Sequence, residues 1–236
     1  MIRNSADLQK HVLATYFTLR VGMTIVAALF PLLLWGGEAL LTGELRLKGT
    51  MSAYYHSSVG NVFVGVLFAI GAVLYLYKGF SRRENYALNF AGLFAIGIAL
   101  LPTKISPAMV KACDCAVFTA QLAHAICAVL FFACIAYVAI FRAPDTLKLI
   151  DDPKRKRRYE SIYKFLGIAM LVVPSAAAVL VLAFQLDRDQ SERTIGFVVE
   201  ALAVLIFAAY WGVKSREIAE TNADEVAANQ RMPPPA

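Results

Sequence analysis

Six apolar stretches, each about the length a helix needs to cross a bilayer, are spaced along this chain of 236 residues. About 20 consecutive apolar residues in a helix span the roughly 30 Å hydrocarbon core. The stretches cover about 21–41, 58–77, 86–102, 115–141, 163–185 and 194–213. The expected fold is therefore all-α: a polytopic membrane protein whose single domain, about 21–214, is a bundle of six transmembrane helices joined up and down by short loops. A hydrophobic fraction of 59% and a mean hydropathy of +0.60 lie outside the usual range for soluble proteins. The stretch 115–141 is longer than a span requires and is expected to tilt or protrude.

Charge placement gives the orientation. Of the 23 Lys and Arg, 17 lie in the segments before residue 21 and at 78–85, 142–164 and 214–236, and six lie in the alternate connections. Basic residues mark the cytoplasmic side, so both termini and the loop "DDPKRKRRYESIYK" are expected in the cytoplasm of a bacterial inner (cytoplasmic) membrane. The run "KRKRR" alone resembles a nucleic-acid contact. A juxtamembrane cluster is better explained by topology and by attraction to anionic lipid head groups, worth about 1 kcal/mol per basic residue. The expected partners are membrane lipids, with anionic head groups at the 142–164 loop, and no nucleic acid.

Residues 1–20 read as a cytoplasmic amphipathic segment, a helix leading into the first span with Leu8, Val12, Tyr16 and Leu19 on one face. The tail 215–236 is polar, ends in prolines and is expected to be disordered. Cys127 and Cys134, seven residues apart in one helix, read as small apolar packing residues. Cys113 and Cys115 flank Asp114, a spacing too short for a zinc knuckle. The second and third stretches share "GVLFAIG" and "GLFAIG", and Ala91, Ala95 and Ala99 form a small-residue stripe. Both features point to a tightly packed hairpin.

The polar residues inside this apolar frame carry the functional question. The segment "MSAYYHSSVGN" puts Ser52, Tyr54, Tyr55, His56 and Asn61 at the mouth of the second stretch. At 1.5 Å per residue from the basic flanks, His56, Asn61, Glu38, Gln121, His124 and Glu200 fall in the outer-leaflet third. Glu200 is the sharpest of them: a carboxylate in "TIGFVVEALAVLIFAAYW" must face the bundle, bind a proton or find a donor. Glu200 and His124 read either as ligand-contacting groups or as interhelical hydrogen-bond clamps. His56, Tyr54 and Tyr55 read either as site residues or as an interfacial aromatic belt. His11 lies on the cytoplasmic side and is set aside. His56, His124 and Glu200, with Glu38 as an outside candidate, have the composition of a His₂Glu zinc site, which leaves a coordination position for water. Ser52, a histidine (His56 or His124) and Glu200 also have the composition of a nucleophilic triad, so Ser52, His56, His124 and Glu200 are the catalytic candidates.

The pattern "SAYYH … FVGVLFAIG … YLYKGFSRREN", an "AH" in the fourth stretch and "VVEALAV … AAYWGVK" in the sixth resembles a group of uncharacterised six-helix bacterial inner-membrane proteins. The residues it picks out are Ser52, Tyr54, Tyr55, His56, Lys78, Gly79, His124, Glu200, Trp211 and Lys214. The resemblance implies the six-span topology and attaches no activity. Ser52 and His56 also look like the serine–histidine element of the CREST superfamily of membrane hydrolases, which implies a metal-dependent hydrolase. Against that pattern the chain has six stretches instead of seven, and Glu200 and Val204 where a histidine pair would stand. A likeness to the six-helix autophagy-modulator membrane family rests on topology and the serine at the second stretch.

The expectation is an outer-leaflet-facing pocket lined by Ser52, Tyr54, Tyr55, His56, Asn61, Gln121, His124 and Glu200. It would bind a lipid head group or small amphiphile in a sensing, carrier or accessory role. The alternatives are an intramembrane zinc hydrolase of lipid amides or esters, and a proton-coupled transporter working through Glu200.

Overall fold

The computed structural model describes residues 5–101, 114–184 and 194–231. These residues are helical and contain no strand. The described residues form seven α-helices: α1 (Ser5–Thr42), α2 (Gly60–Leu76), α3 (Arg82–Leu100), α4 (Asp114–Tyr137), α5 (Pro153–Phe184), α6 (Ile195–Thr221) and α7 (Ala223–Arg231). A 3₁₀ turn, Ser52–His56, lies between α1 and α2. After α4 the chain passes through a π turn, Val138–Arg142, and a 3₁₀ turn, Ala143–Leu149. Asp7–Thr42, Ala120–Leu149 and Ile195–Thr221 are long and apolar enough to cross a membrane, and Gly60–Leu76 is a shorter apolar helix.

The first six helices pack in chain order, α1 on α2 through to α5 on α6, and α6 returns to α1. Each turns large apolar side chains outward: Leu29 and Leu32 on α1, Phe68 on α2, Phe90 and Leu93 on α3, Ile126 and Val129 on α4, Phe165 and Ile168 on α5, and Leu202 and Leu205 on α6. The interior is aromatic and small. Phe30 meets Phe63, and Phe131 meets Phe207, which lies edge-on to Trp211.

Hairpin α2–α3 is the tightest crossing. A Cβ on Gly71 would lie 2.8 Å from the Gly92 carbonyl oxygen, and one on Gly92 2.6 Å from that of Gly71. The stripe Ala91, Ala95 and Ala99 is buried beside them. Ser81 starts α3 by accepting the Glu84 N–H at 3.2 Å, and Glu84 reaches back to the Phe80 N–H at 2.8 Å. This is a reciprocal cap that satisfies donors at the helix start.

Both described ends of the chain meet at one end of the bundle, where Gln9 Nε2 donates to Asn229 Oδ1 at 2.9 Å. We call this the near end. It also carries the α2–α3 turn and the 138–152 connection, and the far end carries the 43–59 connection.

The segment before residue 21 leads into the first apolar run without a break, because α1 extends from Ser5 through Pro31 to Thr42. One expectation is corrected here. The tail is not disordered through its first part. Helix α6 continues to Thr221, Asn222 adopts a left-handed φ of 49°, and α7 follows at once. Asparagine tolerates that conformation at a helix end. What holds the turned-back helix is charge: Asp224 meets the buried Arg20 guanidinium through two hydrogen bonds, at 2.6 and 3.1 Å. Residues 232–236, and the side chains of Cys113 and Cys115, lie outside the described part.

Candidate functional site

At the far end, the "SAYYH" turn is a cap seated on the bundle. Phe197 N–H at the start of α6 donates to the Gly49 carbonyl at 2.8 Å. Glu200, one turn further along α6, accepts the Ser52 N–H at 3.1 Å and faces the Ser52 hydroxyl at 3.5 Å. It also takes the Met51 amide. Tyr54 is fully buried, packs on Phe197 at 5.8 Å and lies under the Lys48 ammonium. From α1, Glu38 pairs with Lys48 at 3.2 Å and faces Ser57 and the Val59 amide, just ahead of α2. A carboxylate is stabilised beside the positive end of a helix.

The remaining far-end residues go elsewhere. His124 on α4 is buried with Nδ1 2.8 Å from the Leu101 carbonyl at the end of α3. A carbonyl only accepts, so Nδ1 carries the proton. His56 is exposed, its ring against Tyr55 at 4.8 Å, and Tyr55 also meets Phe63. Asn61 is exposed and Gln121 half-buried. Ser52 and Glu200 are thus brought together, whereas the two histidines are held by other partners. Among the described residues no three His, Cys, Asp or Glu side chains form a group able to hold a metal. The zinc arrangement of His56, His124 and Glu200, with or without Glu38, is not assembled. Its ligands are spent on a carbonyl, an aromatic ring, a backbone turn and a lysine.

The near end holds a polar core that the linear reading passed over. Lys214 and Glu217, one turn apart on α6, are 1% and 0% exposed and pair at 2.8 Å. Lys214 also donates to Thr146 Oγ1 at 2.5 Å and to the Ala143 carbonyl at 3.4 Å. Glu217 Oε2 further accepts from Thr146 at 3.1 Å and Tyr163 at 3.0 Å. The ammonium lies over the rings of Phe80 and Tyr163. One ion pair therefore joins α6, α5, the Ala143–Leu149 turn and the α2–α3 turn. Nearby, Arg20 reaches both Asp224 and the Tyr77 hydroxyl, and Tyr77 packs edge-on against Trp211. The Tyr210 hydroxyl, Trp211 Nε1, Ser215 Oγ and Glu217 Oε1 are buried there without a hydrogen-bond partner among the described residues.

Glu84, 2% exposed, lies beside this pair. Burial raises its carboxyl above the ordinary range, and the Lys214 charge opposes that rise. Its Cγ also fills the space where a Cβ on Gly79 would stand, at 2.8 Å. Only glycine fits above it.

Over this core opens a groove of about 170 Å³. Val12, Leu13 and Tyr16 of α1 form one wall, Tyr77 through Phe80 the second, and Asp224, Ala227 and Ala228 of α7 the third. Lys78 is exposed at its edge, and Arg82 and Arg83 are exposed on the same turn.

The residues singled out by resemblance divide between the two ends: Ser52, Tyr54 and Glu200 in the far cap, and Lys78, Gly79, Trp211 and Lys214 in or beside the near core. The sequence signals for the near core were the Lys214–Glu217 spacing and the Ser81-x-x-Glu84 pattern, both of which resemble ordinary flanking charge. No family model, curated protein or solved structure matches the chain.

Proposed function

We propose that the chain crosses a bacterial inner membrane six times with both termini in the cytoplasm. In this reading it is a binding protein, in a sensing, carrier or accessory role, for an amphiphile with an anionic head group. The outward apolar side chains on all six bundle helices support the crossings, and the excess of Lys and Arg at the near end supports the orientation. The exposed basic start of α5, with Lys154, Arg157 and Arg158, lies where anionic head groups of the inner leaflet would be.

One observation carries the binding role: a largely apolar groove at the near end with Lys78 at its edge, and Arg82 and Arg83 exposed at the adjoining start of α3. Its one acidic lining residue, Asp224, is already paired with Arg20. Apolar walls hold a segment of chain and the basic edge holds the head group. The site is moved from the outer to the cytoplasmic side because the outer carboxylates and His124 already have protein partners. Glu200 and Glu38 then serve to seat the far cap.

The test is native mass spectrometry of the purified protein with dioctanoyl phosphatidylglycerol or dioctanoyl phosphatidylcholine. The anionic lipid is expected to be retained, with Lys78→Glu weakening retention and Ala228→Trp blocking the groove. Equal retention of both lipids by wild type and both variants would remove the reading. Reporter fusions at each terminus test the orientation separately.

A further inference from the structure

The wall of the groove that carries the basic edge is built directly on Glu84. Its carboxylate holds the Phe80 N–H at 2.8 Å, and its side chain packs under Gly79. Both residues line the groove. A change of charge on Glu84 therefore acts on the wall through one hydrogen bond and one packing contact.

The groups around Glu84 leave it undercompensated. From α6 come Lys214 and the Tyr210 phenol; from the end of α2, Tyr77; and from the Ala143–Leu149 turn, Asp145. Asp145 is itself paired with Arg142 of the π turn at 3.3 Å. Arg82 and Arg83, on the first turn of α3 itself, are exposed. Lys214, the facing cation, directs its hydrogen bonds to Glu217, Thr146 and the Ala143 carbonyl. Three carboxylates thus share two cations, and Glu84 is the deeply buried one without an ion pair among the described residues. A buried carboxylate in that position takes up a proton instead of carrying its charge.

We propose that Glu84 is a proton-binding site linked to the groove. The protonated form leaves the positive edge at full strength for an anionic head group. The ionised form still accepts the Phe80 N–H but places a negative charge directly beneath that edge. This rests on the groove reading above and adds its regulation: the anionic guest is held in mildly acidic conditions and released as pH rises. The burial-raised carboxyl of Glu84 puts the change above the ordinary carboxylate range.

The experiment titrates binding of dioctanoyl phosphatidylglycerol by the full-length protein in detergent from mildly acidic to mildly alkaline buffer. Alongside it, the infrared band of the protonated carboxyl is followed over the same range. Wild type is expected to lose roughly five- to tenfold in affinity across the window, within the tenfold that one pH unit allows a single proton. Glu84→Gln, which keeps an acceptor for the Phe80 N–H, is expected to bind with little pH dependence and to lack the band. A pH dependence that persists in Glu84→Gln, or a wild-type carboxyl band that does not titrate, overturns the proposal. If the band titrates and is absent in Glu84→Gln but no lipid binds at any pH, the groove reading fails and the linkage fails with it. The infrared titration of wild type keeps the proton site testable if the variant does not fold.

Discussion

Glu200 on α6 accepts the backbone N–H of Ser52 at 3.1 Å across 148 residues of sequence. A carboxylate in an otherwise apolar stretch of helix is thereby satisfied by a turn of backbone, which places its role in seating the far cap. Replacement by leucine leaves the Ser52 and Met51 amides without their acceptor, and hydrogen bonds to a charged group are worth about 1.5–3 kcal/mol. Glu200→Leu is expected to lower thermal stability in detergent by about that amount and to open the 43–59 segment to protease. Glu200→Gln retains one acceptor and is expected to cost about half as much. Unchanged protease resistance in Glu200→Leu would show that the cap is held by other means.

The reciprocal approach of Gly71 and Gly92 supports a second prediction. An alanine at either position puts a methyl group into the carbonyl of the facing helix. Overpacking of this kind costs about 1–3 kcal/mol. Gly65 on the same helix has nothing within 4 Å of a built Cβ. Gly65→Ala is therefore expected to stabilise by up to about 1 kcal/mol through helix propensity. Melting temperatures of the three single variants should fall on opposite sides of wild type, and the same sign for all three would contradict the crossing.

The presence of a helix at each apolar run was legible, because a long apolar run favours a helix with an unbroken hydrogen-bonded backbone. The ends were not: α1, α5 and α6 extend well into the charged flanks, to Ser5, Pro153 and Thr221. Height along a helix did not foresee the Ser52–Glu200 contact, because Ser52 lies in a 3₁₀ turn that folds back over the bundle end and does not extend α2 upward. Azimuth was not legible either. The rise per residue says nothing of which neighbour a side chain faces, so His124 could be placed beside Glu200 in height and still belong to the Leu101 carbonyl. The near core was missed for a different reason. Lys214, Glu217 and Glu84 stand in flanks where charge ordinarily means solvent and topology. They are buried because the Ala143–Leu149 turn folds under the bundle and brings Thr146 to them. That event is tertiary and leaves no periodic trace. The same holds for α7, whose place depends on one arginine more than 200 residues earlier in the chain.

The Lys214–Glu217 pair distinguishes a buried ion pair from a merely polar flank. Removing one partner strands a buried charge and costs about 3–5 kcal/mol, whereas replacing both with apolar residues of similar size is often near neutral. Lys214→Met and Glu217→Met are each expected to destabilise strongly, and the double variant to recover much of the loss. Thermal unfolding of the four proteins as a double-mutant cycle measures this. Additive losses in the double variant would mean that the two side chains are stabilised independently by Thr146 and Tyr163.

The sign of the pH dependence follows from Glu84. Its carboxyl is raised in the folded protein above the ordinary value of 4.5, by burial first, with Lys214 opposing. Between the unfolded and folded values the folded state binds more protons than the unfolded state. Stability changes with pH in proportion to protons bound unfolded minus folded, a negative quantity here. The contribution of Glu84 is thus fully present below the ordinary carboxyl value and is lost as pH rises through the folded value. Glu220 works in the opposite sense, since Arg216, Tyr159 and Arg155 hold its carboxyl below the ordinary range. Its contribution is present above the ordinary value and lost on acidification, and its exposure keeps it small. The difference between wild type and Glu84→Gln cancels Glu220 and every other group the two proteins share. Melting temperatures taken across mildly acidic to mildly alkaline buffers are expected to converge on the acidic side. On the alkaline side wild type should fall below Glu84→Gln, because only wild type must then either hold a buried charge or stay protonated against the solvent. Parallel curves would mean that Glu84 keeps one protonation state throughout.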